Sequence, residues 1–186
     1  MRYEPCEITL RDGTRCLLRS AEETDTPALL EHLRVTAGET DFLLRYPEEV
    51  TLTDEQEREF LRNNLKSPDK MMISAFVGGR LAGSTGIQSV GSHAKIRHRC
   101  SLGIALKQEF WGNGLGTALM ETALSTASAM GFEQIELGVY GENTRAIRLY
   151  ERMGFQRWGA TPHAFKLKNG HYIDEILMGK FLTGQG

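Results

Sequence analysis

A mixed α/β fold, antiparallel strands first and strands alternating with helices after, is what this chain predicts. Three observations predict it. The tight-turn pairs Asp12-Gly13 and Gly78-Gly79 separate strand-like stretches within the first 106 residues. Between residues 107 and 160, two stretches with apolar residues at three- and four-residue spacing alternate with strand-like runs. A last pair, Asn169-Gly170, divides a closing hairpin. Strands in an antiparallel run, followed by strand–helix–strand–helix–strand, give a mixed sheet.

The elements follow in order. Glu7 to Arg11 and Arg15 to Arg19 flank Asp12-Gly13 as a hairpin. Ser20 reads as the N-cap of a helix running through Leu29, Leu30 and Leu33, with Glu23 three residues later closing a capping box. Asp54 to Leu65 is a second, strongly charged helix. Strands are expected at Met72 to Val77, Arg80 to Val90 and Arg97 to Leu106. Leu119, Met120, Ala123, Leu124, Ala127 and Met130 then mark one helical face, and Gly131 stands at its C-terminal cap. A strand at Gln134 to Tyr140, a helix at Thr144 to Met153 and a strand at Phe155 to Ala160 follow. The closing hairpin pairs Ala164 to Lys168 with Tyr172 to Leu182.

Composition bounds the function. The 186 residues suit one domain spanning 1–186, able to bury about 70% of its extended surface. Twenty-two Lys and Arg against 24 Asp and Glu leave no global positive field, so nucleic acid is not an expected partner. The hydrophobic fraction is 40% and no apolar run approaches 18 residues, so no membrane span is expected. Arg2, Glu4, Glu7, Arg11, Asp12 and Arg15 interrupt any signal-peptide core. Cys6, Cys16 and Cys100 form no paired motif, which points to free thiols in a reducing cytoplasm and no metal site.

The richest stretch is Ile104 to Thr117, an apolar strand entering a glycine-broken turn and then a helix. Gly112, Gly114 and Gly116 keep side chains away from a row of backbone N–H groups, while the helix adds about half a positive charge at its N-terminus. Together these suit a phosphate or pyrophosphate held by main chain. Spacing excludes two nucleotide motifs. No Gly-Lys-Ser/Thr is present for an ATP-type loop, and Thr117 stands where the dinucleotide fingerprint needs its third glycine. A second constellation, Asn143 to Phe155, places Ala146, Leu149, Tyr150 and Met153 on one helical face ended by Gly154.

On these residues the chain resembles the GNAT superfamily of acetyl-CoA-dependent N-acetyltransferases. The run Asn-x-x-Ala-x-x-Leu-Tyr-x-x-x-Gly-Phe, residues 143–155, is similar to the family's second motif, and the Gly112–Gly116 turn to its pyrophosphate-binding motif. The likeness is strong from Ser101 to Trp158, extends as strands over 72–100, and is slight over the first 70 residues. It implies an α/β (α+β) fold with a mostly antiparallel sheet of about seven strands, helices on both faces and a central V-shaped splay. The acetyl-CoA core would span 72–158, with acceptor-side elements in 1–70 and 160–182.

The resemblance also implies roles. Backbone groups of Ile104 and Leu106 would bind the pantetheine arm, and the Leu106 amide would polarise the thioester carbonyl. Gly112, Asn113, Gly114, Leu115, Gly116 and Thr117 would hold the diphosphate. Trp111 departs from the family's usual Gln or Arg; its indole either packs beneath the turn or walls the cofactor's phosphates. Asn143 would cap its helix and contact the cofactor arm. Tyr150, a core residue on a bland reading, would protonate the departing thiolate.

The base is not evident from the sequence. His98 stands near the place where relatives carry a Glu, and Glu39 or Asp41 could hold the acceptor amine or act simply as solvated charges. The expected reaction is direct attack by a primary amine, of a small molecule or of a protein, on acetyl-CoA without a metal. A non-catalytic CoA-binding sensor and an interaction module remain alternatives. The family commonly dimerises, and nothing in this sequence speaks to it.

Overall fold

A computed structural model describes residues 1–182. Eight strands and four helices run in the order β1 (Cys6–Thr9), β2 (Arg15–Arg19), α1 (Thr26–Glu39), α2 (Asp54–Lys66), β3 (Lys70–Val77), β4 (Arg80–Ser89), β5 (Arg99–Leu106), α3 (Leu115–Ala129), β6 (Gln134–Tyr140), α4 (Thr144–Arg152), β7 (Gln156–Lys166) and β8 (Tyr172–Phe181). Seven or so strands were expected. The nine strands read element by element become eight because Phe155–Ala160 and Ala164–Lys168 form one strand, β7. The chain forms two compact units: Met1–Gln88 with Gly103–Ala123, and Ser89–Leu102 with the chain from Leu124 onward.

The first unit is an antiparallel ladder, β1 to β4 in sequence order, with the C-terminal half of β5 next to β4. Asp12-Gly13 turns the first hairpin as predicted: Gly13 takes φ +85°, and the Asp12 carboxylate accepts from the Thr14 N–H at 3.0 Å. Leu18 of β2, Leu29 of α1, Leu61 of α2, and Ile73 and Ile87 of the sheet are 2% exposed or less, which places the core against the sheet's helical cover. α2 starts with a reciprocal box in which Thr53 and Gln56 each accept the other's backbone N–H.

The first helix starts later than expected. Ser20 is not its cap; the Ser20 hydroxyl accepts from the Tyr3 N–H at 2.8 Å. A 3-10 turn at Glu23–Asp25 intervenes, in which the Asp25 carboxylate takes the Glu22 N–H, and α1 begins at Thr26 with Pro27 in its first turn. The Ser20 hydroxyl is spent on Tyr3, while Asp25, at the N-cap position, is clamped by Arg19 through two bonds of 2.6 and 2.8 Å.

The second unit begins with the parallel pairs Arg99↔Gln134, Cys100↔Ile135 and Ser101↔Glu136. The β5–β6 ladder ends there. β6 then pairs antiparallel with β8, and β8 with β7. The two expected strands Phe155–Ala160 and Ala164–Lys168 are one strand, β7. The interruption at Pro162 is a register shift between Thr161 and Phe165, where His163 takes φ +53° and its N–H bonds Asp174 at 2.8 Å. Among the described residues, no helix is long and apolar enough to cross a membrane.

Candidate functional site

In the first unit the turn after β5 has the expected build. A 3-10 turn at Gln108–Phe110 leads to Gly112 at φ +87° and Gly114 at φ +97°, and α3 begins at Leu115. Gly116 lies within the helix and has no positive φ. The Asn113 side chain accepts the Leu115 N–H at 3.1 Å, and its carbonyl accepts the Arg11 N–H at 3.0 Å. The β1–β2 turn therefore buttresses this loop. A Cβ on Gly114 would stand 3.1 Å from the Arg11 Cγ, and φ +97° strains any side chain there, so the position suits glycine. The residues present thus fit a diphosphate held by main-chain amides.

The Trp111 indole N–H donates to the Leu106 carbonyl at 3.1 Å, folding the ring back onto the end of β5. Ile104 and Leu106 are half-buried on that strand. Glu39, the last residue of α1, accepts the Gln108 N–H at 2.7 Å and so ties the helix to the start of the turn. One residue before Gln108, the buried Lys107 reaches back to Glu31 of α1 at 2.9 Å. The sequence reading passed over Arg11 and Lys107, because lone basic residues outside a motif carry no periodic or spacing signal.

The second unit holds Asn143, Tyr150 and His98. Asn143 caps α4, its side-chain oxygen accepting the Ala146 N–H at 3.1 Å. Tyr150 is 7% exposed, and its ring tilts against Phe155 at 5.9 Å. Burial pushes its hydroxyl up to about 12, and no hydrogen bond contributes. It is a protonated phenol at neutral pH without an internal acceptor among the described residues. His98 precedes β5, and its carbonyl accepts from Glu133 and Gln134 at 2.9 and 3.3 Å. Cys100 is buried, which pushes its thiol up to about 12 and removes it as a nucleophile. Among the described residues, no group of three or more His, Cys, Asp or Glu is arranged to hold a metal ion.

The acetyltransferase (GNAT) family model matches residues 36–155, which contain both motifs. The chain belongs to that family. A GNAT acetyltransferase from Streptococcus pneumoniae is 32% identical, with a TM-score of 0.84 over 89% of this chain and 99% of that one. The putative acetyltransferase yncA from Salmonella typhimurium, solved with acetyl-CoA, shares the fold at 18% identity and a TM-score of 0.79, over 91% and 95% of the two chains. A mycothiol acetyltransferase from Propionibacterium freudenreichii is 26% identical over 112 residues, 60% of this chain. This chain spans only 36% of that protein's length.

Proposed function

We propose that this protein is an acyltransferase that moves an acetyl group from acetyl-CoA to a primary amine by direct attack. The observation that carries the reading is the turn at Gly112–Leu115: two positive-φ glycines run straight into α3. Acetyl-CoA as donor is supported by family membership and by the bound cofactor in the Salmonella neighbour. When bound, it supplies an activated acetyl thioester.

The chain's own groups do the rest. Amides of residues 112–117, apart from the Leu115 N–H that the Asn113 side chain takes, hold the diphosphate, with the dipole of α3 behind them. The backbone of Ile104 and Leu106 lines up the pantetheine arm, and the Leu106 N–H draws charge from the thioester carbonyl. The Leu106 carbonyl is taken by the Trp111 indole, which fixes the strand end. Asn143 caps α4 through its oxygen, leaving its amide N–H groups to the cofactor arm. Tyr150 donates its proton to the leaving thiolate. Glu39 and His98 are substrate-side residues in this reading, Glu39 through the oxygen not held by Gln108. The three free cysteines, two of them buried, favour a reducing compartment such as the cytoplasm.

Thiol release on mixing the protein with acetyl-CoA and an amine panel tests the reading, with calorimetry of acetyl-CoA alone beside it. Tight binding with no turnover on any amine would leave the sensor alternative; absence of binding would leave an interaction module.

A further inference from the structure

The guanidinium of Arg11 is an unspent charge beside the glycine turn. Arg11 lies in the turn between β1 and β2, in the same unit as Gly112–Leu115. Its backbone N–H donates to the Asn113 carbonyl at 3.0 Å. Its side chain then runs along Gly114. A Cβ there would stand 3.1 Å from the Arg11 Cγ, 3.4 Å from its Cδ and 3.7 Å from its Cβ. Successive stem carbons therefore line one glycine of the cradle, and the guanidinium follows directly after Cδ.

The surrounding charges leave that guanidinium free. Glu109, just before the turn, is taken by Arg80 through two bonds of 2.6 and 3.1 Å. Lys107 is buried against Glu31. The Asp12 carboxylate turns back onto the Thr14 N–H at 3.0 Å. Arg11 itself is exposed, and its side chain makes no hydrogen bond or ion pair among the described residues. An exposed arginine is ordinary. One whose stem already packs on a main-chain anion cradle is less so, because part of its ordering cost is met before a ligand arrives.

The charge balance of the turn asks for such a group. A diphosphate diester is ionised at both phosphorus centres at neutral pH. Between Trp111 and Thr117 the chain carries no basic side chain, and the Trp111 indole N–H goes to the Leu106 carbonyl. Main-chain amides carry partial charges, and the α3 dipole adds about half a positive charge. That falls short of the ligand's charge, whereas a guanidinium brings a whole one in a planar fork matched to phosphate oxygens.

We infer that Arg11 is a cofactor-binding residue, its guanidinium pairing with the diphosphate of the acyl-CoA that the turn holds. The inference rests on the acetyl-transfer reading and adds to its site a side chain from the first hairpin. The β1–β2 turn then serves the cradle twice: the Arg11 N–H supports the loop, and the Arg11 side chain completes its charge.

The test compares the full-length wild type with Arg11→Met, which keeps the stem against Gly114 and removes the charge, and Arg11→Lys, which keeps the charge without the fork. In calorimetry with acetyl-CoA, Arg11→Met should bind about tenfold more weakly than the wild type, the lower value for a hydrogen bond to a charged group. Arg11→Lys should fall between them, and the gap should narrow as salt is raised. The three ligand-free proteins should melt together, since no internal partner is lost. With 3′-dephospho-acetyl-CoA the gap should persist. In thiol-release assays Arg11→Met and the wild type should use S-acetylpantetheine, which has no phosphate, equally well.

Arg11→Met that binds acetyl-CoA as tightly as a tight-binding wild type overturns the role of Arg11 and leaves the acetyl-transfer reading standing. A gap that vanishes with the dephospho donor overturns the diphosphate pairing in favour of the 3′-phosphate. An equal loss with S-acetylpantetheine overturns it in favour of a structural prop. Calorimetric silence of the wild type with acetyl-CoA overturns the acetyl-transfer reading and this inference with it.

Discussion

At the residue scale, Tyr150 is a core side chain to which the proposed reaction assigns a proton transfer. Its ring packs on Phe155 like any buried aromatic, yet its hydroxyl has found no internal acceptor. Burial holds the proton on the phenol at neutral pH. Tyr150→Phe should lower turnover about 10²-fold, with acetyl-CoA affinity unchanged by calorimetry. Unaltered turnover would remove Tyr150 from the mechanism. Gly114 makes the complementary case in backbone. At φ +97° an alanine is strained by at least about 1 kcal/mol, and its methyl would meet the Arg11 stem. Gly114→Ala should therefore lower the melting temperature and weaken acetyl-CoA binding together; a tight-binding variant would show that the amides of this turn are not the grip.

At the scale of elements, caps and ties decide where helices begin. Asn143 and Thr53 both satisfy an orphan N–H at their helix starts. Replacing either with alanine should cost about 1 kcal/mol in chemical denaturation. Only the Asn143 change should also raise KM for acetyl-CoA, because Asn143 alone is assigned a cofactor contact. The glycine turn is itself an element held from outside. Glu39 anchors its start, Trp111 pins the strand before it, and the Arg11 N–H holds Asn113. The turn was legible in the sequence because three glycines at alternate positions are a local signal. Its three supports were not, since each joins residues distant in sequence or depends on how the chain doubles back.

At the scale of the whole molecule, stability should carry the mark of His32. Burial and the neighbouring Lys107 charge bring its pKa from 6.5 when unfolded to about 4 when folded, so between those values the unfolded chain binds more protons. Stability owed to a neutral His32 is complete above about 6.5 and is lost as pH drops toward 4. Glu57 acts the other way: burial raises its folded pKa, so acidification through that window favours the fold at Glu57. The difference isolates His32. Melting curves of His32→Phe and the wild type should diverge as pH falls from 6.5 to 4, the wild type losing more. Parallel curves would mean that His32 titrates normally.

Much of the architecture was readable in advance because its causes are local. Hairpin glycines, helical periodicity and the glycine turn act over a few residues, and both family motifs are short. The start of α1 misled because Ser20 and Asp25 offer equivalent caps locally, and only the Arg19 clamp separates them. The single β7 misled because Pro162 reads as a break, while pairing to β8 on both sides carries the strand through it. The sequence by itself determined the family and the order of elements. Tertiary structure alone decided which way Trp111 turns, that Tyr150 keeps an unspent hydroxyl, and that both nitrogens of buried His32 go without a partner among the described residues. Those three depend on burial and on partners far along the chain, which local patterns do not encode.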